Sequence, residues 1–243
     1  MVGIIGFGRF GKLMTRYLAE DCRVLVYDTA LDPAEVESRG GDAASLDEVC
    51  RQSTVILAVP ISALQDVLEK VRSKLVPGTL VVDVCSVKKL PVQWMESILP
   101  ESVRILATHP MFGPDSAAES LQGGKIVLCP QRLAAEDYRR IKTYLEAKGL
   151  IVIEATADEH DREIAVSLAL THFIGRALSE FGARPQRIDT EGFRRLLHIL
   201  EVVENDTWQL FEDMNRFNPY AMGSRNQFLG ALQHIQDKLS GAE

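Results

Sequence analysis

The chain of 243 residues holds one large domain or two small ones, with length to spare for a packed core. Its 46% hydrophobic and 25% charged residues exclude a disordered chain, and a formal charge of −7 with no basic block speaks against a nucleic-acid partner. No apolar run approaches the ~20 residues of a bilayer span, so no membrane partner is expected either.

From the start the pattern alternates strand and helix. "VGIIGFG" is a short apolar run ending in glycines, and "RFGKLMTRYLAE" places Phe10, Leu13, Met14, Tyr17 and Leu18 at helical spacing. "RVLVYD", "TVILAVP", "TLVVDVCS" and "RILATHP" read as the next four strands. "KIVLCP" and "LIVIEA" follow, separated by the helix "AEDYRRIKTYLEAKG" with Gly149 at its C-terminal cap. Continuous Val/Ile/Leu runs between helices predict a parallel sheet covered on both faces. After about residue 156 the strands stop. "DEHDREIAVSLALTHFIGRALSEFG" reads as one long apolar helix, a second helix runs from about Thr190 to Met214, and "NPYAMGSRNQFLGALQHIQDKLSG" is a third. The expected organisation is an α/β domain over 1–155, with a doubly wound parallel sheet of the Rossmann type, and a smaller all-helical domain over 156–243 for substrate and subunit contacts. Met1 leads straight into a strand, leaving no room for a signal peptide. Cys22, Cys50, Cys85 and Cys129 lack CxxC spacing and read as buried thiols in a reducing cytoplasm. No metal site is expected.

Gly6-Phe7-Gly8-Arg9-Phe10-Gly11 matches G-x-G-x-x-G, follows a strand, opens a helix and precedes a second strand ending in Asp28. Gly6 permits the tight turn, Gly8 lets the backbone approach a pyrophosphate, and Gly11 lets the helix sit close to the strand. The free N–H groups of the helix start then meet the phosphates. Asp28 is placed to accept bonds from ribose hydroxyls and to repel a 2′-phosphate, and Thr29, Ala30 and Leu31 supply no cation, so NAD is favoured over NADP. In a doubly wound sheet the C-terminal strand ends line the ligand crevice. That puts Val59 and Pro60 beside the cofactor, and brings Ser86 and Lys88 of "VDVCSVKK" and His109 of "ATHPMFGP" to the same edge. Ser86 also suits a helix cap and Lys88 a solvated surface. A histidine held by Pro110 at a strand end beside a nicotinamide site is a candidate acid or base.

"GFGRFGKL", "VVDVCSVKKLP" and "THPMFGPDS" resemble the prephenate and arogenate dehydrogenases, especially the plant-type branch, and "DEHD" and "LTHFIGRAL" extend the likeness into the first long helix. The resemblance implies oxidative decarboxylation of arogenate or prephenate in tyrosine biosynthesis, with hydride passing to NAD. It gives His109 the role of proton acceptor at the ring hydroxyl and Ser86 that of supporting the imidazole and the hydroxyl. His160 and His172 match two further family histidines on the helix that faces the crevice. Where the common bacterial branch carries a carboxylate-gripping arginine, this chain has His198, so Arg194, Arg195 or Arg225 is left for that role. The acid that selects the arogenate ammonium falls at Asp206, with Glu204 as the fallback. No chorismate mutase helices or ACT-type domain accompany these motifs, so any inhibition by tyrosine would occur at the active site. The resemblance also implies a homodimer through the C-terminal helices.

Two other classes fit the outline. A β-hydroxyacid dehydrogenase would want a lysine on the first long helix, which has none, and a pyrroline-5-carboxylate reductase has no use for the His-Pro loop. A non-catalytic NAD-sensing regulator would bind the cofactor without turnover, which Ser86, Lys88 and His109 gathered at one end of the sheet argue against.

Overall fold

The computed structural model describes residues 1–241 and divides into two compact units, the first ending at Asp158. The first unit is an eight-stranded sheet of β1 (Val2–Ile5), β2 (Val24–Tyr27), β3 (Asp42–Ala43), β4 (Thr54–Leu57), β5 (Leu80–Asp83), β6 (Arg104–Pro110), β7 (Lys125–Pro130) and β8 (Ile151–Glu154). Helices α1 (Arg9–Ala19), α2 (Pro33–Glu37), α3 (Leu46–Cys50), α4 (Ile61–Val71), α5 (Lys89–Ile98) and α6 (Ala135–Ala147) connect them. The spatial order is β3-β2-β1-β4-β5-β6-β7-β8, the doubly wound arrangement whose direction of winding reverses between β1 and β4. Ile4, Val24, Val26, Leu57, Val81 and Ile105 are fully buried, as strands covered on both faces require.

One expectation is corrected. The sheet is not wholly parallel, because β7 pairs with β6 in the antiparallel sense, with His109 opposite Val127. A parallel return needs a crossover, usually a helix. Here residues 111–124 contain none and instead fold against α1, where the Tyr17 hydroxyl donates to the Ala117 carbonyl at 2.8 Å. β8 then runs parallel to β7 after α6, which ends at Gly149 in the left-handed conformation (φ +85°).

The second unit is helical. α7 (Ala157–Ile164), a π-helical turn (Ala165–Leu170) and α8 (Thr171–Phe181) form one continuous helix, followed by α9 (Glu191–Glu204), α10 (Trp208–Arg216) and α11 (Ala221–Leu239). Gly175 allows α8 to meet α9 closely, since a Cβ there would lie 2.5 Å from Val203 Cγ2. The single helix expected from Thr190 to Met214 is two helices. Thr207 ends the run by capping the new one, its hydroxyl accepting the Leu210 N–H at 3.1 Å. The 25-residue helix Ala157–Phe181 is also long and apolar enough, by length and composition, to cross a membrane, which the sequence pattern alone did not show. None of the four cysteines forms a disulfide among the described residues, and Cys50, Cys85 and Cys129 are buried.

Candidate active site

The glycine loop has the geometry its spacing predicts. Gly6 sits at φ +105°, and a Cβ there would lie 2.3 Å from the Ala58 carbonyl oxygen at the end of β4. A Cβ on Gly11 would lie 2.2 Å from the Gly6 oxygen, so the start of α1 touches the strand it follows. Around Gly8 no atom of the described residues lies within 4 Å of such a Cβ, and no described side chain caps α1. An open backbone surface at an uncapped helix start suits a pyrophosphate. Asp28, at the end of β2, is joined to this loop: its Oδ2 accepts the Phe7 N–H at 2.6 Å and its Oδ1 accepts the Ala30 N–H at 3.1 Å. Oδ1 also accepts the Thr29 hydroxyl at 3.4 Å, so Asp28 orders both the loop and its own turn, and Oδ2 keeps a second lone pair for a ligand hydroxyl. Val59 is half-buried and Pro60 exposed at the end of β4, with Val59 directly against Gly6. The Phe10 ring meets Phe112 at 6.2 Å, and Arg9 pairs with Asp115 at 2.7 Å on the surface.

β1, β4, β5 and β6 are neighbours and parallel, so the residues following them share one edge of the sheet. His109 is buried there. The Ser86 hydroxyl is buried with no hydrogen-bond partner among the described residues, and it does not cap α5. Lys88 departs from expectation. It is neither solvated nor presented at the crevice surface but fully buried, its ammonium bonded to the Asp83 carboxylate and, at 2.5 Å, to the Thr108 carbonyl. Asp83 was missed by the sequence reading, although an acid inside the apolar run "LVVDV" five residues before a lysine was a usable signal.

In the helical unit, His160 is buried and its Nδ1 lies 2.8 Å from the fully buried Asp161 carboxylate. Asn218, also buried, donates to the Asp161 carbonyl at 2.8 Å. His172 is buried with Nδ1 lacking a partner among the described residues, and its Nε2 is 3.7 Å from Asp206. Burial holds the His172 imidazole below its ordinary pKa, with Asp206 opposing and Arg176 assisting. Asp206 lies in the break between α9 and α10, not on a helix as expected. Of the arginines considered for a carboxylate, Arg194 pairs with the half-buried Asp189, Arg195 with the exposed Glu191, and Arg225 donates to Asn215. Arg176 was overlooked. One turn after His172, it is half-buried over the Trp208 ring and donates to the Asp206 carbonyl at 2.5 Å.

The family model described as the prephenate dehydrogenase nucleotide-binding domain matches residues 20–154, more than half of the chain. The chain belongs to the prephenate dehydrogenase family. The family match begins after the glycine loop, so the reading of that loop stands on its own geometry. Residues 177–243 match a second model, the TYRAAT1-like C-terminal domain. This family member is 30% identical to arogenate dehydrogenase 2, chloroplastic, of Arabidopsis thaliana, over 99% of its own length and 70% of the relative's. It is also 30% identical to arogenate dehydrogenase 1, chloroplastic, of the same plant, but spans only 39% of that protein. In fold it is similar to prephenate dehydrogenase from A. aeolicus in complex with hydroxyphenyl propionate and NAD+, with a TM-score of 0.78, 20% identity, and 98% and 90% of the two chains covered.

Proposed function

We propose that this chain oxidatively decarboxylates arogenate, or prephenate, in tyrosine biosynthesis, with NAD as hydride acceptor. The observation that carries the reading is the edge of the sheet where the glycine loop, the unpartnered Ser86 hydroxyl and the buried His109 come together, in a chain of this family. When bound, the nicotinamide supplies the acceptor for the hydride on the ring carbon bearing the hydroxyl. The open backbone at Gly8 and the helix start hold the pyrophosphate, and Asp28 faces the ribose hydroxyls and disfavours a 2′-phosphate. His109 accepts the hydroxyl proton as the hydride leaves. The ring then loses its carboxylate as CO2, the electron pair of that bond completes the aromatic ring, and the proton returns from His109 to the phenolate oxygen. Ser86, whose hydroxyl has no hydrogen-bond partner among the described residues, is available to the hydroxyl and the imidazole. Proton transfer of this kind contributes about 10²- to 10⁴-fold. In the helical unit, His160 and His172 supply further polar contacts to substrate, and Arg225 or Arg176 receives a carboxylate.

The test is turnover. Purified protein with NAD and either substrate should generate NADH and CO2, and NADP should support a lower kcat/KM. Failure with both substrates overturns the reading. Arogenate differs from prephenate by an ammonium at the side chain, and the Asp206 carboxylate, 3.7 Å from the His172 Nε2, supplies an anion for it. Asp206→Asn should lower the arogenate-to-prephenate ratio of kcat/KM, and an unchanged ratio removes Asp206 as selector.

The same reading makes the protein a cytoplasmic homodimer, which four cysteines without a disulfide among the described residues and the character of α11 support. Of the 19 residues of α11 only Ala221 is buried, while Met222, Leu229, Leu232, Ile235 and Leu239 are exposed at spacings of three, four and seven. A second copy of this chain is the partner proposed for that face.

A further inference from the structure

We propose that Asp83 and Lys88 form a buried pair that fixes the backbone of His109, which makes Lys88 a positioning residue and not a ligand of the substrate. The inference rests on the reading of His109 as proton acceptor. It starts from where the ladder stops. β5 and β6 pair only as far as Asp83 opposite Ala107. Thr108, His109 and Pro110 continue β6 past the end of β5, with β7 alone as their strand partner. On the open side, the buried Thr108 carbonyl would lack a donor, at a free-energy cost.

Two side chains replace the missing strand. The Lys88 ammonium donates to the Thr108 carbonyl at 2.5 Å and to Asp83 Oδ1. The Thr108 hydroxyl donates back to the Asp83 carbonyl at 2.7 Å, and Asp83 Oδ1 also accepts the Cys85 N–H at 3.0 Å. A closed ring of bonds thus ties the end of β5, the residue that opens α5 and the peptide entering His109. The Thr108 carbonyl and the His109 N–H lie in one rigid peptide plane, so fixing the first fixes the origin of the imidazole.

Stability alone does not account for this pair. Both side chains are 0% exposed, and Asp83 Oδ2 is buried with no partner among the described residues. An incompletely satisfied buried ion pair is commonly matched or bettered by apolar residues of the same volume. Its place, one peptide from His109, gives the cost a purpose.

The deciding variant is Asp83→Asn/Lys88→Met, which removes both charges and keeps an acceptor for the Cys85 N–H. It leaves the Thr108 carbonyl without its Lys88 donor, so it should melt below the wild type, and it should bind NAD with unchanged affinity. Its kcat should fall about 100-fold with little change in KM, the usual effect of displacing a reacting group by about 1 Å. Lys88→Met alone should lower the melting temperature further, because it also strands the Asp83 charge. Thr108→Val keeps the pair and removes one bond of the ring, so a smaller fall in kcat is expected; it serves equally if the double variant does not fold. Wild-type kcat in the double variant or in Thr108→Val overturns the proposal, as does a parallel loss of NAD affinity. The His109 ring resonance, identified by its absence in His109→Asn, reads the same geometry without turnover. It should shift and broaden in the double variant and in Thr108→Val, with a displaced titration midpoint. If the wild type turns over neither substrate, the functional reading fails by itself, and an unaltered His109 resonance in these variants then separately overturns the pair.

Discussion

The sheet unit buries its apolar residues against itself, whereas the helical unit leaves many of its own uncovered. Across the first, the β-strand residues Ile4, Val26, Leu57, Val81, Ile105 and Leu128 have no exposed surface. In the second, Phe181 is 82% exposed, Ile188 80% and Leu239 80%, and α11 contributes almost nothing to its own unit's core. Apolar surface left in water forfeits about 25 cal/mol for each Å² that could be buried. The contrast separates a unit whose geometry is fixed internally from one shaped to be covered. Substitutions in the first should therefore act on chemistry and local backbone, and in the second on association and on how the protein responds to its surroundings.

The largest effect expected is on catalysis. His109→Asn keeps a polar side chain at the strand end and removes the proton acceptor. Its kcat should fall by at least about 10²-fold while NAD affinity stays near that of the wild type, because the glycine loop is untouched. Retention of more than about a tenth of kcat would remove His109 from the proton-transfer role. Next in size are two glycines with opposite surroundings. Gly11→Ala drives a Cβ to within 2.2 Å of a backbone oxygen, so α1 must move away from β1 at a cost of about 1–3 kcal/mol, with loss of nucleotide binding. Gly8→Ala meets nothing within 4 Å among the described residues and should leave the melting temperature unchanged while weakening NAD binding about tenfold or more. Equal effects of the two on stability would mean that the loop is not built around a ligand.

Much of the sheet unit was legible because its signals are local. Continuous apolar runs mark two-sided strands, and the fingerprint from Gly6 to Gly11 with Asp28 depends on a short stretch of backbone. The reversal of β7 was hidden because nothing in 111–124 distinguishes a crossover from a folded return; Tyr17 bonding to Ala117 is a contact between residues a hundred positions apart. Lys88 misled because lysine is ordinarily a surface residue, and only its partner Asp83 in three dimensions explains a buried one. In the helical unit the periodicity of "EGFRRLLHILEVVENDTWQLFEDM" runs through the break, and Thr207 looked like one more helical residue instead of a cap. Arg176 escaped for a related reason. Its neighbours Asp206 and Trp208 lie within that break and just beyond it.

The exposed face of α11 gives the third test. Leu229→Glu with Leu232→Glu places two charges on the apolar stripe, and burial of each leucine contributes about 1.5–3 kcal/mol. Sedimentation should show a dimer in the wild type and a monomer in the double variant, with the far-ultraviolet helix signal retained. A wild-type monomer at micromolar concentration, or a variant that still dimerises, would mean that α11 is covered by something other than a second copy.

The smallest effect is a pH dependence confined to the helical unit. His172 is buried, and desolvation holds its pKa below the ordinary 6.5, with Arg176 acting in the same direction and Asp206 against it. The folded protein therefore keeps this imidazole neutral at pH values where the unfolded chain already binds a proton. Between the depressed folded value and 6.5 the unfolded state holds more protons, so stability rises with pH through that window, and what His172 contributes is lost as pH falls through it. Melting curves from pH 5 to 8 should show the decline below about 6.5 in the wild type and a flatter profile in His172→Gln. Asp206→Asn removes the one charge that favours the imidazolium, so its decline on acidification should be steeper than the wild type's. A steeper decline in His172→Gln, or a shallower one in Asp206→Asn, would mean that another group controls the acid limb and that the 3.7 Å approach of His172 to Asp206 is not an electrostatic contact.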